Sequence, residues 1–220
     1  MRNMYIITGE YGSGKTEFSV NLALALREKT RRPIYLADLD VINPYFRSRE
    51  REEFLKKREI TIIGNGFEEN TGQDIPAVSY GFIQDNHKAV TIIDLAGSEN
   101  GLKPLGALYD KIDQPELLCV FNLFRPLTDT KEKILEFVDK VNSISRWPVT
   151  GLVNNSNLLD YTHASHILAG QEVLLQVSED RGIPLKVTQL QKELYSSMSS
   201  KIRSEEVILF DELKMRETWQ

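Results

Sequence analysis

The chain has 220 residues, which is enough for one α/β domain with a large buried core. Its net charge of -5 argues against general binding to nucleic acids, because their phosphates attract basic surfaces. No apolar run approaches the roughly 18 residues of a transmembrane helix, and a single cysteine, Cys119, rules out an intrachain disulfide. We therefore expect a cytoplasmic, single-domain protein, with residues 190–220 as a peripheral extension.

Seven short apolar runs are separated by longer amphipathic stretches. Most of the runs are continuously apolar, which is typical of strands in a parallel sheet that is covered on both faces. The runs are residues 3–8, 33–38, 60–64, 89–94, 116–122, 148–154 and 183–189. Their alternation with helices predicts right-handed crossovers and a doubly wound, mostly parallel α/β sheet of about seven strands, with helices on both faces.

Three of the intervening stretches carry helix signals, at residues 15–30, 128–144 and 160–182. The second begins at the candidate caps Thr128 and Asp129. The third ends at Gly182, just before Pro184. After residue 190, the segment "EEVILFDELKMRETWQ" could add a short strand and a helix.

The segment "GEYGSGKT" (9–16) has the G-x-x-x-x-G-K-[ST] pattern of a phosphate-binding loop, between the first predicted strand and the first predicted helix. Its glycines let successive backbone N–H groups turn inward and cradle a β-phosphate at the helix N-terminus. Lys15 is expected to reach the β- and γ-phosphates and act in catalysis, and Thr16 to bind Mg²⁺. The predicted phosphate-binding residues are Glu10, Tyr11, Gly12, Ser13, Gly14, Lys15, Thr16 and Glu17.

Two acids, Asp38 and Asp40, flank the end of the second strand, at the edge where parallel sheets bind ligands. Residues two apart in an extended segment share a face, so one acid could hold a Mg²⁺-bound water. The other could orient the attacking water or a substrate hydroxyl. We predict Asp38 as a switch and magnesium residue and Asp40 as a catalytic residue. Arg47 and Arg49 follow closely and are candidates for contact with phosphate, a substrate or a partner.

The fourth apolar run ends at Asp94, where an unpaired carboxylate would be costly to bury. A nearby Mg²⁺ with its waters would remove that cost. Asp94 is therefore predicted to be catalytic and to bind magnesium together with Thr16 and Asp38. Gly97 completes the pattern D-x-x-G, whose glycine N–H can sense a γ-phosphate, and is predicted to be a switch residue.

These motifs, with "GLVNN" (151–155), resemble the MinD/ParA/CobQ–CobB (SIMIBI) class of P-loop NTPases over about residues 3–190. Members with an ATP-binding description continue the second strand as "DLDIVNPYFRSRE", which is similar to "DLDVINPYFRSRE" here at 38–50. The resemblance implies that Asp40 is the switch I acid that positions water. It also implies that Asp94 is the Walker B-type acid and that Gly97 is the switch II glycine.

One position departs from this resemblance. The MinD/ParA branch has a second lysine after the first loop glycine, and that lysine reaches the nucleotide of the partner subunit. This chain has Glu10 there, and an acid beside a polyphosphate would repel it unless it points away or meets a cation. A homodimer of this kind would therefore need an arginine as its trans cation.

The residues that could read the base follow the sixth apolar run. G proteins use N-K-x-D, and "GLVNNSNLLD" (151–160) has Asn157 at the position of the acid. An amide lacks the charge and the two-oxygen fork needed for a bidentate contact with guanine. Asn154 or Asn155 could bind an adenine edge, as the late asparagine does in the resembled class. The sequence therefore favours ATP over GTP.

The favoured function is a Mg²⁺-dependent ATPase whose hydrolysis changes the Asp40 and Asp94 loops and so regulates or matures a partner protein. One alternative is a small-molecule kinase or ATP-dependent ligase of the dethiobiotin synthetase type, with an acceptor site formed by residues 40–49 and 69–82. A GTPase that handles nickel or cobalt and a non-enzymatic, nucleotide-gated binding module are further alternatives. No nucleic-acid partner is expected.

Overall fold

The computed structural model describes residues 2–39, 52–64 and 88–215 of the chain. Asp40, Arg47, Arg49 and the predicted acceptor loop at 69–82 lie outside these residues. Within the described ranges, no helix is long and apolar enough to cross a membrane.

The described residues form one parallel sheet, which confirms the doubly wound α/β prediction. Its strands are β1 (Met4–Thr8), β2 (Ile34–Asp38), β3 (Ile60–Gly64), β4 (Val90–Asp94), β5 (Glu116–Phe121), β6 (Gly151–Asn154), β7 (Leu185–Gln191) and β8 (Glu206–Phe210). Their spatial order is β3-β2-β4-β1-β5-β6-β7-β8, and every neighbouring pair is parallel. The order reverses around β1, so the phosphate loop that follows β1 lies at the topological switch point, where such sheets bind ligands.

Helices cover both faces of the sheet. They are α1 (Lys15–Lys29), α2 (Glu52–Lys56), α3 (Glu99–Leu108), α4 (Lys131–Ser145), α5 (Ala164–Arg181) and α6 (Lys192–Met198). One apolar core joins α1 and α2 to the sheet through residues such as Phe18 and Leu55. The second core lies on the other face and includes Leu105 of α3, Phe137 of α4 and Leu174 of α5. Alternation along the central strands supplies both cores, as with Ile6 and Ile7 of β1, which is expected of continuously apolar strands.

Two boundaries differ from the prediction. The side chain of Thr130, and not Thr128 or Asp129, caps α4, because its hydroxyl accepts from the N–H of Lys133 at 3.4 Å. The α5 helix begins at Ala164 instead of near residue 160, because residues 159–161 form a separate short 3₁₀ turn. The predicted stop at Gly182 is confirmed: its N–H donates to Ser178 in a left-handed cap.

The main correction concerns the C-terminal region. The sheet has eight strands in the described part of the chain: the possible short strand after residue 190 is confirmed as β8, which pairs with β7 along five residues. Residues 211–215 then turn back over α1, and Met215 packs into the core on that face. The segment 206–215 is thus integrated into the sheet and its core, and is not peripheral to them.

Candidate functional site

The phosphate loop has the backbone shape that its sequence predicts. Gly12 and Gly14 both have left-handed conformations, with φ of 78° and 80°, which other residues rarely adopt. A Cβ on Gly14 would lie 2.3 Å from Nδ2 of Asn155, so the close approach of the β6 loop also requires glycine. The N–H of Ser13 donates to the carbonyl of Glu10 at 3.0 Å, which closes the turn before α1 begins.

Two acids lie side by side next to this loop. Asp38 ends β2 and Asp94 ends β4, and the two residues are direct partners in the β2–β4 register. Adjacent strands are roughly 4.8 Å apart, and partners in register point to the same face of the sheet. Both side chains are buried, with exposed fractions of 4% and 0%. Since β4 also pairs with β1, with Asp94 opposite Ile7, the acids lie beside the start of the phosphate loop.

The donor set at this edge fits a magnesium ion. Thr16 supplies a buried hydroxyl, and Asp38 and Asp94 supply carboxylate oxygens, which are the hard ligands that Mg²⁺ prefers. In the described ranges, no group of three or more His, Cys, Asp and Glu side chains could hold a metal ion. A phosphate-loop magnesium does not need such a group, because it is held by one or two carboxylates, waters and nucleotide oxygens.

Gly97 is held against the same loop. A Cβ on Gly97 would lie 2.4 Å from the carbonyl oxygen of Gly9 and 2.9 Å from the ring of Phe137. The residues between Asp94 and Gly97 are tied to β1, since the N–H of Leu95 donates to the carbonyl of Ile7 at 3.0 Å. A movement of the D-x-x-G segment would therefore also displace the start of the phosphate loop.

Glu10 points away from the phosphate cavity and meets a cation. Its carboxylate lies 2.5 Å from Nζ of Lys140, which projects from α4. The ammonium group also lies 4.7 Å from the centre of the Phe137 ring. The side chains are exposed by only 33% for Lys140 and 20% for Glu10. The acid of the phosphate loop is thus neutralised within its own chain.

The phosphate loop opens into a cavity of about 340 Å³. The loop and the start of α1 form one side of it, from Tyr11 to Glu17. Arg125, which follows β5, donates from Nε to the carbonyl of Gly12 at 3.1 Å. The other lining residues come from the ends of β5 and β6 and from the C-terminal segment: Asn122, Asn155, Asn157, Leu159, Phe210, Leu213 and Met215.

The asparagines after β6 are used within the protein. Asn154 is fully buried outside the cavity lining, and its amide donates to the carbonyl of Ile167 at 2.9 Å. Asn155 donates to the carbonyl of Ser13 at 2.7 Å and accepts from Gln189 at 3.1 Å. Asn157 donates to the carbonyl of Asn155 and accepts from the N–H of Leu159. These amides fix the loop, so the predicted base-reading role of Asn154 does not match its position.

Glu17 also differs from its predicted role. Its carboxylate oxygens accept the backbone N–H groups of Lys214 and Met215, both at 2.8 Å, instead of facing a phosphate. A carboxylate would repel phosphate oxygens, so this arrangement removes a conflict that the loop motif alone does not reveal.

The sequence did not single out several lining residues. Arg125 and Asn122 belong to "FNLFRP" after β5, and Phe210, Leu213 and Met215 belong to the last described segment. No local motif marks them, because they reach the cavity only through the β5 and β8 positions in the sheet. Asn122 could have been predicted from the sequence, because a polar residue directly after an apolar strand lies at the ligand-binding edge of a parallel sheet.

Neither protein-family models nor curated proteins gave a match to this chain. Solved structures did. FtsY from Mycoplasma mycoides is 18% identical over 84% of this chain and 59% of that chain, with a TM-score of 0.57. FtsY from Thermotoga maritima is 22% identical over 86% and 62%, with a TM-score of 0.52. A nucleotide-binding protein from Archaeoglobus fulgidus, in complex with ADP, is 15% identical over 84% and 81%, with a TM-score of 0.51.

These similarities establish the fold. The chain shares the α/β fold of these solved structures, which agrees with the fold predicted from the motifs. They do not single out the MinD/ParA branch. The chain also spans about 59% of the Mycoplasma FtsY chain, and low identity carries no activity from one protein to another.

Proposed function

We propose that the protein binds ATP with Mg²⁺, hydrolyses it, and uses the reaction to regulate or mature a partner protein. The observation that supports this best is the pairing of Asp38 with Asp94 in register beside the phosphate loop. Two buried carboxylates at this spacing repel each other, and a divalent cation between a phosphate and these acids would relieve the repulsion.

Each residue then has a distinct role. Lys15 binds the β- and γ-phosphates, and the loop N–H groups hold the β-phosphate. Thr16, Asp38 and Asp94 hold Mg²⁺, which would neutralise the charge that develops on the phosphate oxygens. Asp40 positions the attacking water, and Arg47 and Arg49 contact the phosphate or the partner. The roles of these last three residues rest on the sequence alone.

Adenine is favoured over guanine by the chemistry of the cavity. Among the described residues that line it, Glu17 is the acid, and its oxygens are engaged by backbone N–H groups. Asn157 stands where a guanine-reading acid would be and is engaged in its own loop. A bound ADP in the Archaeoglobus fulgidus neighbour is consistent with this choice.

Calorimetric titration with ATP and GTP, in Mg²⁺ or EDTA, tests the binding step. Charged hydrogen bonds contribute about 1.5–3 kcal/mol, so Lys15→Ala should weaken ATP binding by about 10- to 150-fold. The matched control is Lys29→Ala, at the far end of the same helix. Equal affinity of the wild-type protein and Lys15→Ala for ATP would contradict the proposal.

Phosphate release tests the reaction itself. Asp94→Asn should abolish Mg²⁺-dependent release, while Asp139→Asn, on the exposed face of α4, should not. A small-molecule kinase would instead consume ATP only with a metabolite and place the phosphate on it. Turnover that is the same in Asp94→Asn as in the wild-type protein would rule out the proposed chemistry.

A further inference from the structure

The C-terminal segment is part of the cavity that holds the phosphate loop. Three of its side chains, Phe210, Leu213 and Met215, line the cavity together with residues of the β6 loop. Phe210 and Met215 are buried, with exposed fractions of 9% and 4%. An apolar surface therefore borders a site whose other end is built for phosphate.

The first turn of α1 fixes this segment in place. The two oxygens of Glu17 accept the adjacent N–H groups of Lys214 and Met215, and Nδ2 of Asn21 donates to one of them at 3.0 Å. Glu17 directly follows Thr16, a predicted magnesium ligand. The position of the apolar surface is thus set by a residue of the phosphate-binding helix itself.

A chain of buried side-chain amides extends this connection to the phosphate loop. Asn21 donates to Oε1 of Gln189 at 3.4 Å, and Gln189 donates to Oδ1 of Asn155 at 3.1 Å. Asn155 in turn donates to the carbonyl of Ser13 at 2.7 Å. Gln189 and Asn155 each accept from one neighbour and donate to the next, and Asn21 donates both to Glu17 and to Gln189. These bonds hold the loop and the C-terminal segment in one register.

We propose that residues 210–215 form the wall against which the base of the bound nucleotide packs, and that Glu17 is the positioning residue of this wall. The inference rests on the proposed function, because it needs a nucleotide whose phosphates are fixed by the loop. The base must then extend into the remainder of the same cavity. The apolar side chains there match the face of a base, which stacks on apolar and aromatic surfaces irrespective of its identity.

Another residue of the cavity lining supports this assignment. Leu159 lines it with φ of 56°, a left-handed conformation that a leucine rarely adopts. Non-glycine residues persist in such conformations where the surrounding structure holds them, commonly at ligand sites. The hydrogen bond from the N–H of Leu159 to Asn157 provides that restraint.

A comparison of two ligands separates the base wall from the phosphate loop. Binding of Mg²⁺·ATP and of Mg²⁺·tripolyphosphate is measured by calorimetry for each variant. Phe210→Ala and Leu213→Ala should each weaken ATP binding by about tenfold, which is the effect of losing one stacking contact with a base. The affinity for tripolyphosphate should change less than twofold. Leu209→Ala, on the exposed face of the same strand, is the matched control and should change neither.

Glu17 variants test positioning. Glu17→Ala should weaken the binding of ATP but not of tripolyphosphate, as Phe210→Ala should. Glu17→Gln should lose less ATP affinity, because its amide oxygen can still accept one N–H. Hydrogen exchange gives a second measurement: ATP should protect the N–H groups of Lys214 and Met215 more than tripolyphosphate does.

The outcomes are distinguishable. Equal losses for ATP and tripolyphosphate, or no loss for either ligand in both Phe210→Ala and Leu213→Ala, would overturn the base wall while leaving nucleotide binding intact. Protection of Lys214 and Met215 that is the same with both ligands would also overturn it. If the wild-type protein bound neither ligand, the proposed function itself would fail, and the base wall with it.

Discussion

The ion pair between Glu10 and Lys140 predicts that a residue outside the cavity affects nucleotide binding. Lys140→Met removes the cation and leaves a carboxylate on the phosphate loop with nothing to neutralise it. We expect this variant to bind Mg²⁺·ATP more weakly, although Lys140 does not line the cavity. Adding Glu10→Gln to Lys140→Met removes the leftover charge, so the double variant should recover affinity.

The structure sets the expected size of the effect. Two unit charges in close contact interact by about 1 kcal/mol in water and about 4 kcal/mol near a protein surface. The pair is 2.5 Å apart and is between a fifth and a third exposed, so solvent screens it in part. After the entropy of holding two long side chains, we expect a coupling energy for folding of about 1–2 kcal/mol. For a chain of this size, that corresponds to a fall in Tm of about 2–8 °C.

A double-mutant cycle measures both the coupling energy for folding and the change in ATP affinity. Thermal unfolding and ATP titration are compared for the wild-type protein, the two single variants and the double variant. Lys133→Met is the control, since Lys133 is an exposed residue of the same helix and pairs with Asp129, which precedes the helix. The argument that Lys140 neutralises Glu10 would be refuted if Lys140→Met bound ATP as tightly as the wild-type protein. It would also be refuted if the double variant bound ATP more weakly than Lys140→Met.

Three further predictions concern Cys119, Glu17 and Gly14. Burial raises the pKa of the Cys119 thiol and leaves it unexposed, so a thiol reagent should react only after unfolding. Burial also raises the pKa of Glu17 above its usual 4.5. Its contribution to stability is therefore complete below pH 4.5 and is lost as the pH rises through the raised pKa, a slope in urea unfolding that Glu17→Gln should remove. Gly14→Ala should lower Tm, because a left-handed alanine costs about 1–2 kcal/mol and its Cβ would collide with Asn155.

The sequence predicted most of the sheet because local signals agreed with the tertiary structure. Continuous apolar runs marked seven of the eight strands to within a few residues. The eighth, Glu206–Phe210, alternates between buried and exposed positions at an edge of the sheet. A short edge strand of this kind has a weak pattern of its own and is stabilised by pairing with β7.

The site was predictable where chemistry follows sequence spacing and not where it depends on long-range packing. Asp38 and Asp94 could be placed together because the ends of parallel strands meet at one edge of the sheet. Glu17 could not, because its partners are the backbone groups of residues 214 and 215, almost two hundred positions away. The base-reading role predicted for Asn154 failed for a related reason. A polar residue at a strand end can instead hold its own neighbourhood in place, as Asn154 does by donating to the carbonyl of Ile167.

The intrachain contact of Glu10 also bears on assembly. In the resembled branch, a lysine at this position reaches the nucleotide of a second subunit. Here the position carries the opposite charge, and its carboxylate is directed to α4 of the same chain. A dimer of that kind would therefore have to contribute to the hydrolysis step through a different cation.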